Sequence, residues 1–279
     1  MIQIGLTGWM DHPIVHTQSK HKLVDYASHF PIVELDASFY AIPSQERILH
    51  WLKQTPDNFQ FIAKAYGPMT QHARRPDESR PLKELFATFS QHFRPMVDSG
   101  KLTAFLFQFP PYFTCVRENV RYLRQIRTLM GDVPIAVEFR HSSWLSTDYA
   151  SETLQFLQQY HLIHVVVDQP QTPHNSVPLV AAVTHEKQSI LRLHGRNYDG
   201  WLGADDSQDW RQVRTLYQYS PDELNNFKDI TLTLADASEN VAVIFNNNSG
   251  GHAGPNAKEF QALLGIQYEG LAFRQLDLF

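Results

Sequence analysis

The sequence predicts a single α/β domain folded as a (β/α)8 barrel of the TIM type. Three observations predict it: eight short apolar segments, helical periodicity between them, and a length of 279 residues, which suits one sizeable domain. A doubly wound open sheet is the main alternative, and it would also place its ligand at the carboxyl ends of the strands. The apolar segments, taken as strands in chain order, are 2–6, 31–36, 59–65, 103–108, 134–139, 163–168, 189–194 and 241–246.

The stretches between these strands carry helix signals. Ser220-Pro-Asp-Glu223 has the cap, first-turn proline and third-position glutamate of a capping box, and Ser44 precedes a second helix start. The stretches 66–102 and 195–240 are long enough to add a lid or an extra helix over the mouth of the barrel. The clearest apolar spacing of three and four is formed by Leu82, Leu85, Phe86, Phe89, Phe93 and Met96.

Composition limits the class of protein. Hydrophobic residues make up 43% and charged residues 19% of the chain, no apolar run is long enough for a membrane helix, and the N-terminus does not resemble a signal peptide. The single Cys115 excludes an intramolecular disulfide and a cysteine-rich zinc site. We therefore expect a soluble, cytoplasmic protein, whose net charge of -5 supplies no general attraction for nucleic acid.

Polar side chains recur where the predicted strands end. Strand alternation puts three pairs on one face each: Glu34 with Asp36, Glu138 with Arg140, and Arg192 with His194. Gln108 and Asp168 end two further strands. Burying such groups costs stability unless they are paired, so the pattern predicts a functional pocket at the carboxyl ends of the strands.

Seven ordered segments resemble one known family. They are Gly5–Trp9, Val33–Tyr40, Phe61–Lys64, Phe107–Phe109 with two prolines, Val137–Trp144, Leu191–Gly195 and Phe245–Asn247. In this order they are similar to the signature segments of the YecE-like family, domain of unknown function 72. The resemblance implies a TIM-type barrel over residues 1–270 and lends no settled activity. Asp36 departs from it, because the family more usually has Asn there.

Carboxylates at strand ends are candidates for acid/base chemistry. Asp36 and Glu138 form the favoured pair, Asp168 is a third candidate, and His194 is a second proton donor or a metal ligand. The alternative is that these carboxylates form ion pairs inside the barrel with Lys64, Arg140 and Arg192. A divalent metal is compatible with Glu138, Asp168, His194 and His252, although no His-x-His or His-Glu-x-x-His motif occurs.

Cations and amides at the mouth predict an anionic substrate. Lys64, Arg140 and Arg192 would hold the anion with Gln108, because the guanidinium fork suits phosphate or carboxylate. Asn246 and Asn247 open a glycine-rich loop that could hold a phosphate, or could form only a turn with an Asn cap. Lys64 could alternatively form a Schiff base. The candidates for stacking on a sugar or base are Trp9, Tyr40, Trp144, Tyr198 and Trp201.

The segment 271–279 is predicted to be a C-terminal tail. It contains a five-residue sequence that resembles the motif with which bacterial replication and repair proteins dock on the DNA polymerase sliding clamp. The alternative is that the segment packs its apolar side chains on the barrel. The residues of the motif are Gln275, Leu276, Asp277, Leu278 and Phe279.

These features together predict an enzyme with hydrolytic or lyase-like chemistry on a phosphate- or sugar-bearing anion. Nucleic acid is the most concrete substrate, because of the tail motif. On this hypothesis Glu138→Gln abolishes turnover and spares the fold. The alternative is a noncatalytic protein that binds a small ligand at the mouth, or an adaptor that reaches the clamp through its tail.

Overall fold

A closed barrel of eight parallel strands forms the centre of the computed structural model, which describes residues 1–15, 21–72, 81–173, 176–203 and 213–273. Each strand pairs with the next in chain order, and the eighth pairs with the first, which excludes an open sheet. The strands are β1 (Ile2–Thr7), β2 (Ile32–Leu35), β3 (Gln60–Lys64), β4 (Leu102–Gln108), β5 (Ile135–Glu138), β6 (Leu162–Asp168), β7 (Gln188–Leu193) and β8 (Asn240–Phe245). The TIM-type prediction is confirmed, and every predicted strand agrees within one residue at each end.

Helices follow the strands around the outside of the barrel. The capping box predicted at Ser220 is present, because its hydroxyl accepts from the Glu223 amide while the Glu223 carboxylate accepts from the Ser220 amide. Ser44 caps its helix through the Arg47 amide. The α-helices are Lys22–Ala27, Ala37–Tyr40, Gln45–Lys53, Leu82–Asp98, Arg117–Met130, Ala150–Gln159, Tyr198–Leu202, Pro221–Ala237 and Ala253–Leu263, and the 3-10 helices are Pro13–Val15, Gly67–Thr70, Ser142–Leu145 and Ser249–Gly251.

Aromatic packing joins the longest predicted helix to the outside of the barrel. Phe89 and Phe93 lie against Phe105 of β4, with ring centroids 5.1 and 5.4 Å apart, and Phe86 stacks on Phe107. All five rings are buried, and burying one such ring contributes about 2–3 kcal/mol. The spacing of three and four therefore indicated the buried face of this helix correctly.

The strand register decides which strand-end residues point into the barrel. Arg192 pairs with Val167, whereas Asp168 pairs with Leu193, so Arg192 and Asp168 lie on opposite faces of the sheet. Arg192 contacts carboxylates of the non-neighbouring strands β2 and β5, which is possible only through the interior. Asp168 therefore points outward.

The chain returns to the amino ends of the strands after its last helix. The Ile4 amide donates to the Tyr268 hydroxyl at 2.8 Å, and the Ala272 amide donates to the Ala27 carbonyl at 3.0 Å. Asn58, which precedes β3, donates to the Glu269 carbonyl at 3.1 Å. These bonds fix the end of the described chain at the base of the barrel, opposite the mouth.

Two further sequence expectations concern the C-terminal motif and membrane-spanning helices. The proposed clamp motif, residues 275–279, lies outside the described residues. In the part of the chain that the structure describes, no helix has the length and apolar character required to cross a membrane.

Candidate active site at the barrel mouth

Arg192 lies at the centre of a buried ion-pair network. Its Nε donates to Oε2 of Glu34 at 2.7 Å, and its Nη2 lies 2.5 Å from Oε1 of the same carboxylate. Its Nη1 donates to Oε2 of Glu138. All three side chains are almost completely inaccessible to solvent. Arg192 therefore links the two carboxylates across the barrel, and the predicted role in holding a substrate anion is not what its contacts show.

Arg140 extends this network toward the mouth. Its Nη2 lies 2.5 Å from Oε1 of Glu138, and its Nη1 donates to Oε1 of Gln169 at 3.1 Å. The Gln108 oxygen accepts from Arg140 at 3.3 Å and from Arg192 at 3.4 Å. These contacts fix the Arg140 guanidinium in one orientation.

The environment of Glu138 makes it a poor proton donor. Burial by itself raises the pKa of this carboxyl, but Arg140 and Arg192 outweigh burial and hold the pKa well below its usual range. The carboxylate is also inaccessible to a ligand. The structure thus corrects the assignment of Glu138 as a substrate-facing acid and shows the alternative, an ion pair inside the barrel.

His194 is enclosed by the same network. Its Nε2 lies 3.1 Å from Nη2 of Arg140 and 3.3 Å from Oε1 of Glu138, and its Nδ1 lies 2.7 Å from the Asn246 amide nitrogen. Burial, followed by the charge of Arg140, holds the pKa of His194 well below its usual value. A neutral, fully buried imidazole does not suit the predicted second proton donor. The Asn246 amide contacts this ring, and its contact with a phosphate stays a prediction.

Asp36 and Lys64 form an ion pair at the edge of the mouth. The Lys64 ammonium lies 3.3 Å from Oδ1 of Asp36 and 4.8 Å from the centroid of the Phe39 ring. The Asp36 side chain is 38% exposed, so this carboxylate is accessible to a ligand in a way that Glu138 is not. These contacts support a role for Lys64 as the counterion of Asp36 rather than as a residue that forms a Schiff base.

Asp168 belongs to a different cluster, outside the barrel wall. It accepts from Nε of Arg196 at 2.9 Å and from the Tyr219 hydroxyl at 2.7 Å. The Tyr219 hydroxyl in turn accepts from the Gly195 amide at 2.7 Å. The structure therefore contradicts a catalytic role for Asp168 at the mouth, because its side chain instead fixes the chain that follows β7.

The loop after β8 is held by protein contacts. The Asn247 amide donates to the Tyr217 carbonyl and to Oδ1 of Asn256, both at 2.9 Å. Asn248 donates to the Thr7 carbonyl at 3.0 Å. These bonds correct the assignment of Asn247 to phosphate and support the simple turn.

The predicted stacking residues have very different accessibility. Trp144 is 1% exposed and lies between the rings of Phe139 and Phe113, with centroids 4.2 and 5.5 Å away, so the prediction that it stacks on a substrate is wrong. Trp9 packs edge-on against Trp51. Tyr40 and Tyr198 are exposed at 67% and 46%, and substrate stacking by either stays a prediction.

A cavity of about 260 Å³ opens at the mouth beside Arg140. Two prolines, 110 and 111, form part of its wall. The described residues that line it include two arginines and no carboxylate. The polar and aromatic lining residues are His72, Gln108, Tyr112, Arg140, Trp201 and Arg214.

Trp201 lies beneath the two arginines of this cavity. Its ring centroid is 4.9 Å from Cζ of Arg140 and 4.1 Å from Cζ of Arg214, and the residue is only 5% exposed. The indole therefore contacts two cations, and because it also lines the cavity, its predicted contact with a substrate stays a prediction. Burial, and then repulsion by Arg140, lowers the pKa of Arg214 to about 9, so that this residue is still a cation at neutral pH.

Sequence reasoning missed His72 and Arg214. They follow β3 and β7, and the two long stretches noted in the sequence, 66–102 and 195–240, contain them. The length of these stretches indicated that they cover the mouth. Their residues do not show that one histidine and one arginine lie together there.

The side chains suggested as metal ligands do not form one group, although Glu138 and His194 lie 3.3 Å apart. Glu138 and His194 face the interior, whereas Asp168 lies outside the barrel wall. Within the described ranges, no three His, Cys, Asp or Glu side chains form a group that could hold a metal ion.

The whole barrel matches one protein family. The family described as "Protein of unknown function DUF72" matches residues 3–277. The chain belongs to the DUF72 family. The chain is 48% identical to the "UPF0759 protein YunF" of Bacillus subtilis over 100% of both chains. It is 29% identical to the "UPF0759 protein YecE" of Escherichia coli K12 over 67% of this chain and 64% of the other.

Solved DUF72 structures share the complete fold. A DUF72 protein of Enterococcus faecalis aligns with a TM-score of 0.93 at 38% identity, covering 99% of this chain and 100% of its own. A DUF72 protein of Thermotoga maritima aligns with a TM-score of 0.80 at 29% identity, covering 95% and 100%. The barrel is therefore a property of the family, and the resemblance found in the sequence is confirmed.

Proposed function

We propose that this DUF72 protein is an enzyme that binds a small phosphate- or sugar-bearing anion at the barrel mouth and acts on it by hydrolytic or lyase-like acid/base chemistry. The supporting observation is that Arg140 and Arg214 line one cavity at the carboxyl end of the strands, where TIM-barrel enzymes have their active sites.

The neighbours of Arg140 favour recognition of an anion. Glu138 and Gln169 hold its guanidinium in place, which lowers the entropy lost when a ligand binds. The oxygen of Gln108 accepts from the two buried arginines, so its amide nitrogen is directed away from them and is a donor for a ligand in the cavity. Two guanidinium groups and one amide donor suit phosphate or carboxylate oxygens.

The size of the cavity favours a small ligand over a nucleic-acid strand. A volume of about 260 Å³ lies below the range of about 300–1,000 Å³ that is usual for drug-sized ligands. Binding of single strands relies on accessible aromatic rings. Trp144 and Trp201 are covered, which leaves only Tyr40 and Tyr198 exposed among the predicted stacking residues. As the ligand of this cavity, we therefore favour a small phosphorylated or carboxylated sugar over nucleic acid.

Calorimetry with inorganic phosphate tests the anion site. The wild-type protein should bind phosphate, and Arg214→Gln should weaken binding by about tenfold or more, because a charge-assisted hydrogen bond contributes about 1.5–3 kcal/mol. Arg94→Gln is the matched control, since Arg94 lies on the surface helix Leu82–Asp98 and pairs with Asp98. Equal phosphate affinity in wild type and Arg214→Gln would exclude this site.

A noncatalytic ligand-binding protein is the second candidate. It is favoured by one observation, the ion pairing of the interior carboxylates Glu34 and Glu138, which keeps both away from a substrate. A turnover screen with phosphate monoesters, phosphodiesters and sugar carboxylates separates the two functions. Phosphate binding that depends on Arg214, without turnover of any compound, would favour the binding protein.

Docking on the sliding clamp is a separate proposal about residues 275–279. Its support is the sequence motif alone. A pull-down with purified clamp should retain the full chain and lose a variant that ends at residue 274. Equal retention of both chains would contradict the proposal.

A further inference from the structure

His72 is positioned by its own loop to face the cavity. Its Nδ1 lies 2.9 Å from the Thr70 hydroxyl, and the Phe39 ring packs against the imidazole at a centroid distance of 5.0 Å and an angle of 87°. Gln71, immediately before it, has a left-handed backbone with φ of 62°, which is uncommon for a residue other than glycine. The imidazole is thus a fixed part of the cavity wall.

Cations dominate the surroundings of His72. Burial is the largest influence and lowers its pKa to about 4, so the ring is neutral at physiological pH. Tyr112 lies in the loop that follows β4, and its hydroxyl donates to the Gln71 carbonyl at 2.5 Å. Among the described residues, the charged groups that act most on the imidazole are Lys64 of β3, Arg140 and Glu138 at the end of β5, and Arg214. The three cations lower its pKa further, and Glu138 raises it.

We propose that an anion bound between Arg140 and Arg214 brings a proton from solvent onto His72, whose imidazolium then becomes the third cationic ligand of that anion. The inference rests on the proposed function, because it requires an anion in this cavity. It identifies a further binding residue and the proton that accompanies the ligand.

Electrostatics gives the direction of this effect. A bound dianion offsets the repulsion that Arg140 and Arg214 exert on a protonated imidazole, so it raises the pKa of His72. A group whose pKa is higher in the complex takes up a proton on binding, and affinity then rises as pH falls toward the pKa of the ligand-free state. The complex consequently holds a proton donor beside the anion, which the ligand-free protein does not, and acid/base chemistry on a bound substrate needs such a donor.

Sulfate is the probe for this inference, because it stays a dianion over the pH range of interest. We would measure sulfate binding by calorimetry at about pH 5.5 in two buffers of different ionisation enthalpy, which gives the number of protons taken up. Wild-type protein should take up a large fraction of one proton, and its affinity should rise by several-fold between about pH 7.5 and 5.5.

Variants identify the group that is protonated. His72→Gln should bind sulfate more weakly at about pH 5.5 and without proton uptake, while its affinity at about pH 7.5 stays closer to that of wild type. His50→Gln is the matched control, since His50 is exposed on the helix Gln45–Lys53. If His72→Gln does not fold, an NMR titration of the wild-type histidines with and without sulfate gives the pKa of His72 directly.

The outcomes separate this inference from the proposed function. Sulfate binding with no proton uptake, with uptake that persists in His72→Gln, or with an unchanged pKa of His72 in the NMR titration overturns the role of His72 and leaves the anion site intact. Failure of wild-type protein to bind either phosphate or sulfate overturns the anion site, and the inference with it.

Discussion

The buried network around Arg192 and the cavity beside Arg140 contain similar side chains in opposite situations. In the network, Arg192 meets two carboxylates and none of the three reaches solvent. In the cavity, Arg140 and Arg214 face an open volume with no carboxylate among the described lining residues. Charges that are enclosed with their counterions hold the barrel together, whereas Arg140, although it also pairs with Glu138, lines a space that a ligand can enter.

Arg140 belongs to both regions and connects them. Its guanidinium pairs with Glu138 below and lines the cavity above. The network can therefore affect ligand binding without touching a ligand, by fixing this one guanidinium.

The largest expected effect is that of Glu138→Gln on stability. The change leaves Arg140 and Arg192 without their shared countercharge in the buried interior, so we expect the free energy of unfolding to fall by about 3–5 kcal/mol. This differs from the sequence hypothesis, in which the same change spares the fold. Denaturant unfolding followed by circular dichroism measures it.

Asp98→Asn is the control for that experiment. It breaks an ion pair with Arg94 on the surface of the helix Leu82–Asp98, where both side chains are mostly exposed, and should have little effect. An unfolding free energy that is unchanged in Glu138→Gln would contradict the structural role of the network.

Acid should distinguish the two regions in the intact protein. His194 in the network and His72 in the cavity both have lowered pKa values, so the unfolded chain binds more protons than the native one below about pH 6.5. The free energy of unfolding should therefore fall as pH falls from 6.5 toward 4, by up to about 1.4 kcal/mol per pH unit for each group.

Saturating sulfate sharpens this test. Sulfate should reduce the part of the pH dependence that comes from His72, because the bound anion raises its pKa, and should leave the part from buried His194 in place. Thermal unfolding across this pH range measures both. A pH dependence that sulfate does not alter would mean that the two histidines do not differ in this way.

The smallest expected effect is that of Asp36→Asn at the edge of the mouth. Its ion pair with Lys64 is partly exposed, so the loss of stability should be less than about 1 kcal/mol. Phosphate affinity should rise by less than about threefold, because a negative charge near the cavity is removed. A loss of stability as large as that of Glu138→Gln would place Asp36 in the network.

Much of the fold could be predicted because its signals are local. Eight apolar runs fixed the strands, and the capping box at Ser220 marked a helix start. Alternation along single strands also paired Glu138 with Arg140 correctly. The same alternation could not show that Asp168 faces away from Arg192, since that depends on the register between β6 and β7.

The site was harder to predict because it depends on contacts between distant residues. Trp144 and Trp201 carry the same side chain, yet one lies between two phenylalanine rings and the other lies beneath two guanidinium groups. His72 and Arg214 meet Arg140 only after the barrel has closed. Neither periodicity nor a short motif carries that information.

The bonds of Tyr268 and Ala272 at the base of the barrel determine on which face the described chain ends. They anchor the last described residues at the amino ends of the strands, while the cavity opens at the carboxyl ends. The end of the described chain and the cavity therefore lie on opposite faces of the barrel. A ligand can enter the mouth without displacing residues 268–272.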